Sequence, residues 1–474
     1  MRPRPVQSGD SADSVAALQD AAAQTQVKDP LRVQTSRARL SVDHLVEQAS
    51  CLFGRAGWKR CSTTLRGLTI FFLPLLTTHA PASDWPQFLG PTRDGVYAGA
   101  PLAEQWPKEG PRVVWQKKVG EGHSGPAVAA GKVILFHRLG DRETVECLDA
   151  ATGKPAWSFD YATDYSDSYG SGDGPRATPT IADGKVFTFG PSGLLHCLDF
   201  ASGKKVWSHD TQREFGARLG FFGLACSPLV EGNAVLLNAG GADGAGIVAF
   251  DKDTGKLLWK ATDHEASYAS PVAATLHGQR LAVFFTRAGL VGTTLNGGEI
   301  RFQFPWRSRM SASVNAATPL VIGDQIFLSA SYGTGAALLR VKPDYALEKV
   351  WSGDDVLSAH YATPVHLDGF LYGIDGRVDP GFPPAQLRCV ELQTGKVRWS
   401  EDFGAATVTL AGKHLLLLKE NGELLLALPT PDKFTPRARA QILGGGARAH
   451  PALADGFLYA RSREKLVCVD LRKR

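Results

Sequence analysis

The sequence predicts an all-β chain closed into an eight-bladed propeller of four-stranded antiparallel blades, and three observations lead there. The first is a phrase that recurs, at 147–157 (CLDAATGKPAW), 197–207 (CLDFASGKKVW), 249–259 (AFDKDTGKLLW) and 389–399 (CVELQTGKVRW). Each copy opens on a small residue, then has Asp or Glu at +2, Thr or Ser at +5, Gly at +6 and Trp at +10. The second is a residue, mostly small, before Pro: Gly125-Pro126, Thr178-Pro179, Ser227-Pro228, Ser270-Pro271, Thr318-Pro319, Thr363-Pro364 and His450-Pro451. The third is that each end of the chain carries part of a unit.

The phrase is a hairpin. Two short β-runs flank a turn whose Gly takes positive φ without steric cost, and the Trp offers a large apolar area on the outer strand. One hairpin cannot bury that face, but a ring of them can. In the second unit the strands read as 177–182, 185–189, 194–200 and a fourth through Trp207. A Pro at a strand start forfeits no ladder hydrogen bond. Units at 125–161, 176–211, 225–263, 268–306, 315–353, 361–402 and 406–444 make seven blades. Residues 113–119, with Trp115 in the aromatic place, lack three preceding strands, and residues 449–469 lack a fourth. Together they complete an eighth blade and remove an open edge. The copy at 292–302 ends in Phe302, and the fourth, fifth and seventh units are degenerate, so seven blades is the fallback.

Four segments follow. Residues 1–60, rich in Ala, Gln, Arg and Ser without a sustained period, read as disordered or foreign to the mature protein. Residues 61–83 resemble a secretory signal: Lys59, Arg60 and Arg66 precede a short apolar run and a small-residue exit. The run is too short to span a bilayer. Its position predicts a true start at a non-Met codon within 46–65. Residues 84–112 form a lead-in that begins DWPQFLGPTRDG, and 113–474 form the propeller. The 474 residues carry a net charge of +5. Residues 1–80 hold 10 Lys and Arg against 6 Asp and Glu, leaving 42 against 41. So neutral a body lacks the basic face that nucleic acid requires.

The repeat small-x-Asp-x-x-Thr-Gly-x-x-x-Trp resembles the tryptophan-docking repeat of the PQQ-like β-propellers, over about residues 84–474. The superfamily holds quinoprotein alcohol dehydrogenases and the lipoprotein of the outer-membrane barrel assembly machinery. WPQFLGP-x-RDG, GPR-x-TP and ASYASP look most like secreted bacterial proteins of PQQ-binding-like repeats. The resemblance implies that Trp115, Trp157, Trp207, Trp259, Trp351 and Trp399 pack between neighbouring blades, with Phe302 as a reduced version. It also implies what an enzyme of the family would need: PQQ over the channel beneath a disulfide of adjacent cysteines, a calcium ion on carboxylate and amide ligands, and a catalytic Asp. This chain has seven Cys and no adjacent pair. Cys147, Cys197, Cys389 and Cys468 sit at one repeat position on separate blades, as small buried hydrophobes. Cys226 stands alone before a blade start, and Cys51 and Cys61 fall before or within the leader.

The loops entering each first strand hold His123, Arg176, Arg213, Arg218, His264, Tyr268, Arg307, Arg309, Asn315, His360, Tyr361, Arg448 and His450. Such a cluster at one mouth of the channel suits an anionic or quinone-like ligand. The plainer account makes them solvated loop residues or strand caps. The strongest candidates are Arg176, Arg218, Tyr268, Asn315, His360, Tyr361 and Arg448. Asp164, Asp167 and Asp173 precede Arg176, but their spacing is not that of an EF-hand and reads as a solvated loop. No motif of a phosphate loop, zinc helix or nucleophile elbow is present. The expectation is an exported, monomeric, non-catalytic binding or scaffold module for a protein, peptide or carbohydrate, without cofactor or metal. The alternatives are a PQQ- and Ca²⁺-dependent dehydrogenase and an outer-membrane assembly scaffold.

Overall fold

The recurring turn closes in the same way in the first three blades. Asp149 Oδ1 accepts from the amide and hydroxyl of Thr152 at 3.0 and 2.8 Å. Asp199 does the same for Ser202, and Asp251 for Thr254. The following glycine donates back to the acid's carbonyl and takes the left-handed conformation, as Gly153 does at φ +69°. The strand after it re-enters the ladder through a bulge, between Cys147 and Leu148 in the first blade. The acid at +2 and the hydroxyl at +5 are therefore one device that sets the hairpin.

The computed structural model describes residues 83–473, apart from Ser168, Ala312 and 379–381. The expected leader at 61–83, Cys51 and Cys61 lie almost wholly outside the described residues. Eight sheets, each built on four antiparallel strands, follow one another in chain order. The first blade comprises Ala127–Ala129, Lys132–Leu139, Arg142–Asp149 and Pro155–Ala162, and the next six repeat the plan. The eighth runs Ala452–Ala454, Phe457–Arg461 and Lys465–Asp470. Its outer strand is Val113–Lys118, which pairs Val113 with Val469 and Trp115 with Cys468. Eight blades closed by an N-terminal strand is the predicted ring. Side chains of both sheet faces are buried between blades, as in Ile134, Phe136, Val186 and Leu198.

Two details depart from the sequence reading. The first strand of the second blade is Thr180–Ala182, shorter than 177–182. The reason is that Thr178 belongs to a belt around the bore. The Gly125 amide donates to Thr178 Oγ1 at 3.1 Å, Thr178 to Ser227 at 2.9 Å, Ser227 to Ser270 at 2.9 Å, Ser270 to Thr318 at 3.3 Å and Thr318 to Thr363 at 2.9 Å. The Thr or Ser before five of the seven Pro residues is thus a hydroxyl acceptor for the previous blade. A one-turn helix, Thr211–Phe215, also follows the second blade, capped by Asp210 and ended by left-handed Gly216.

The lead-in is a plug. Trp85 bridges to Val128, the Ile181 amide donates to the Pro86 carbonyl at 2.8 Å, and Val96–Tyr97 adds a parallel strand to Ala406–Ala411. Between these points Arg93, 2% exposed, donates to the carbonyls of Ser227, Pro228 and Pro271 and to Thr180 Oγ1. The segment therefore crosses the bore from the first blade to the seventh, and one guanidinium ties the second, third and fourth from inside.

Candidate functional site

Blade strands alternate direction, so the loops between blades and those between second and third strands share one face. There the belt, the plug and these loops enclose a cavity of about 210 Å³. Phe88, from the plug, is among its lining residues, so the mouth is a blind cup. Every blade contributes: His123 and Arg176 enter from the loops before the first and second, Phe222 and Tyr268 before the third and fourth. Val314 and Ala316 come before the fifth, His360 and Tyr361 before the sixth, Thr407 from the seventh, Arg448 and His450 before the eighth.

Of the strongest candidates, Arg176, Tyr268, His360, Tyr361 and Arg448 meet at the cup. Arg218 stands exposed on the rim. Asn315 is buried, donating to the carbonyls of Thr286 and Trp306 at 2.9 and 3.1 Å while its own carbonyl accepts from Tyr268 and Ala269. It fastens a loop and does not line the cavity. Arg213, Arg307 and Arg309 are exposed, and His264 is bound to Thr286 Oγ1 at 3.0 Å. Phe88, Phe222 and Thr407 were not among the sequence candidates. Phe88 had a signal, since it sits inside the WPQFLGP phrase.

The electrostatics differ from a bare cationic mouth. Arg176 pairs with the buried Asp167 at 3.0 Å and lies 5.4 Å from the Phe222 ring centre. Arg448 pairs with Glu420 at 2.6 Å. Asp167, expected on a solvated loop, is 8% exposed and organises that loop, accepting from Tyr169 and Ser171 amides at 2.9 and 2.8 Å. His123 bonds through Nε2 to the Ser171 carbonyl at 2.8 Å. Burial, with the guanidinium groups of Arg176, Arg448 and Arg461, pushes its pKa down to about 3, so the ring is neutral at ordinary pH. Its Nδ1 and the Thr407 hydroxyl are buried without a partner. Tyr268 accepts the Phe222 amide at 2.9 Å, and burial raises its phenol to about 12. Tyr361 is raised likewise by burial. The cup is an aromatic recess with paired cations, a neutral His123 imidazole and neutral phenols. It suits a flat or apolar group that also offers a hydrogen bond.

A family model described as outer membrane protein assembly factor BamB matches residues 106–187 and 141–401. The chain belongs to this PQQ-like β-propeller family. BamB of Burkholderia pseudomallei (strain K96243) is 29% identical over 219 residues, 45% of this chain and 51% of that protein. The match thus spans about half the length of this curated relative. Among solved structures, BamB from Moraxella catarrhalis superposes with a TM-score of 0.56 at 16% identity, over 77% of this chain and 98% of that one. The quinohemoprotein alcohol dehydrogenase of Comamonas testosteroni gives 0.60 at 13% identity, over 83% and 81%. An assembly factor and an enzyme share the ring, so function must be argued from the site.

In this PQQ-like propeller the indoles meet the next blade. Trp115, Trp157, Trp207, Trp259, Trp351 and Trp399 donate through Nε1 to the carbonyls of Ala150, Phe200, Lys252, Leu295, Leu392 and Thr430, at 2.7–3.1 Å. Phe302 has no such donor and is buried in the apolar cluster of the fourth and fifth blades. The cup does not fit the quinone-and-calcium arrangement of the family's enzymes. Among the described residues, none that lines the cup is Asp, Glu, Asn or Gln, so these side chains offer a hard cation no carboxylate or amide ligand. Cys147, Cys197, Cys226, Cys389 and Cys468 are buried and free.

Proposed function

We propose that this protein is an exported, non-catalytic binding and scaffold module that takes its partner at the loop-bearing face. The observation carrying this reading is the blind cup, an aromatic recess to which all eight blades contribute and whose arginines are already paired. A recess so built can seat a side chain or ring, and its described residues include no carboxylate base or metal-ligating set. The signal-like segment at 61–83 supports export. The test is a thermal-shift screen of the full chain with peptides, sugars and PQQ with Ca²⁺, beside Tyr268→Ala. Stabilisation by a peptide or sugar, lost in the variant, supports the reading. Dye reduction with alcohols in the presence of PQQ overturns it.

The family model and the Burkholderia relative favour a second reading, a role in outer-membrane protein assembly. Co-purification with a barrel-assembly protein from the native envelope tests it.

A further inference from the structure

Two of the loops around the cup carry arginines and no acidic residue, and the inference drawn from this rests on the binding-face reading above. Residues 215–230 and 300–323 contain no Asp or Glu. They carry Arg218, Arg307 and Arg309, all exposed and, among the described residues, without an ion-pair partner. The same loops present Leu219, 42% exposed, and Met310, 47% exposed, while Tyr169 beside them is 59% exposed.

The two loops are joined to one another and to the cup. The Arg287 guanidinium lies 5.5 Å from the Phe221 ring centre and donates to the carbonyls of Ser311 and Ser313 at 2.6 and 3.0 Å, so it ties both loops together. Tyr169 meets Phe221 and Phe222 edge-on at 5.5 and 5.7 Å, and Phe222 lines the cup. On the loop between them, Glu265 is taken by Arg287 at 2.8 Å, and Asp263 Oδ1 accepts the Gly244 amide at 2.6 Å. Exposed aromatic and aliphatic groups beside arginines are the composition of a protein-binding patch.

We propose that this arc, over the second to fourth blades, docks an extended acidic peptide segment of a partner protein. Its carboxylates lie over Arg218, Arg307 and Arg309, and one of its apolar or aromatic side chains enters the cup beside Phe222 and Tyr268. A neutral sugar would leave the three charges unanswered. A flat bilayer would leave the recess behind the rim unfilled.

The probe is a short fluorescein-labelled peptide of alternating glutamate and phenylalanine, compared by anisotropy with its glutamine-and-phenylalanine counterpart on the full chain. The acidic peptide is expected to bind at least about tenfold tighter, with the advantage lost at high salt and in the triple variant R218E/R307E/R309E. The triple Gln variant replaces it if the reversal fails to fold. Equal affinity for both peptides, or no effect of either triple variant, overturns the acidic assignment. If that equal binding is lost in Phe222→Ala, the loop-bearing face still stands as the binding face. No binding of any peptide, with no ligand in the thermal-shift screen sensitive to Tyr268→Ala, removes both. Binding to phosphatidylglycerol vesicles in preference to the peptide overturns the proposal in favour of a membrane surface.

Discussion

The indole of Trp157 lies against Gly203 of the next blade, so close that a β-carbon at 203 would stand 2.4 Å from the ring. Gly203 also holds φ +71°. Gly184 has the same φ of +71° with nothing within 4 Å, so the pair separates handedness from space. Gly184→Ala should cost only the left-handed penalty of about 1–2 kcal/mol. Gly203→Ala adds overpacking of about 1–3 kcal/mol. Urea unfolding of the two variants measures the difference, and equal midpoints would mean that the indole gives way freely.

Arg93 is the pin of the plug. Replacing it with Met leaves the carbonyls of Ser227, Pro228 and Pro271 without their donor in the bore. A loss of about 3–5 kcal/mol is expected, as when one member of a buried charged network is removed. Arg93→Lys should not restore it, since one ammonium cannot reproduce the fork that spans three blades. Denaturation and protease sensitivity at 84–95 report on this, and wild-type values for the Met variant would refute the pin.

The ring was legible because its determinants are local. Gly153, Trp157 and the acid between strands recur at fixed spacing, and that spacing makes a hairpin wherever it appears. The degenerate units were countable too, since Ser270-Pro271 and Thr318-Pro319 mark strand starts where the Trp phrase fades. The plug was not legible, because Arg93 finds its acceptors in the other blades 87 to 178 positions away in the chain, and nothing near it in sequence announces them. The cationic mouth misled for the same reason. Arg448 reads as a free cation until folding brings Glu420 to it, and Asn315 reads as a ligand until its amide is seen fastening a loop.

A pH dependence follows from the interface of the first two blades. Glu143 is fully buried, the Tyr161 hydroxyl donates to it, and burial raises its pKa from 4.5 to about 7. Between those values the folded chain keeps a proton that the unfolded chain releases, so stability falls as pH rises through that window. Glu143→Gln cannot ionise and should abolish the fall. His196, whose ring centre is 4.4 Å from that of Tyr161, acts in the opposite sense. Burial pushes it down to about 4 from 6.5, so its contribution to stability grows as pH rises through that range. Denaturant titrations from pH 4 to 8 should show the Gln variant gaining on wild type up to about pH 7 and then levelling. Superimposable profiles would exclude Glu143 as the titrating group.

Closure makes the last test. Val113–Lys118 completes the eighth blade, and its Trp115 reaches on to the Ala150 carbonyl of the first at 2.9 Å. Without this strand, Lys465–Asp470 would present an unpaired, apolar edge, which is a template for pairing with another chain. A chain beginning at Gly120 should therefore self-associate in light scattering as its concentration rises. That truncation also removes the plug, so the two roles need separating by addition in trans. A peptide of residues 111–119 should suppress the association if the edge is the cause, whereas one of residues 84–98 should not. Rescue by the plug peptide alone would place the weakness in the bore and not at the seam. If the truncated chain stays monomeric without either peptide, the three C-terminal strands of the eighth blade can close the ring unaided, and the N-terminal strand is dispensable to it.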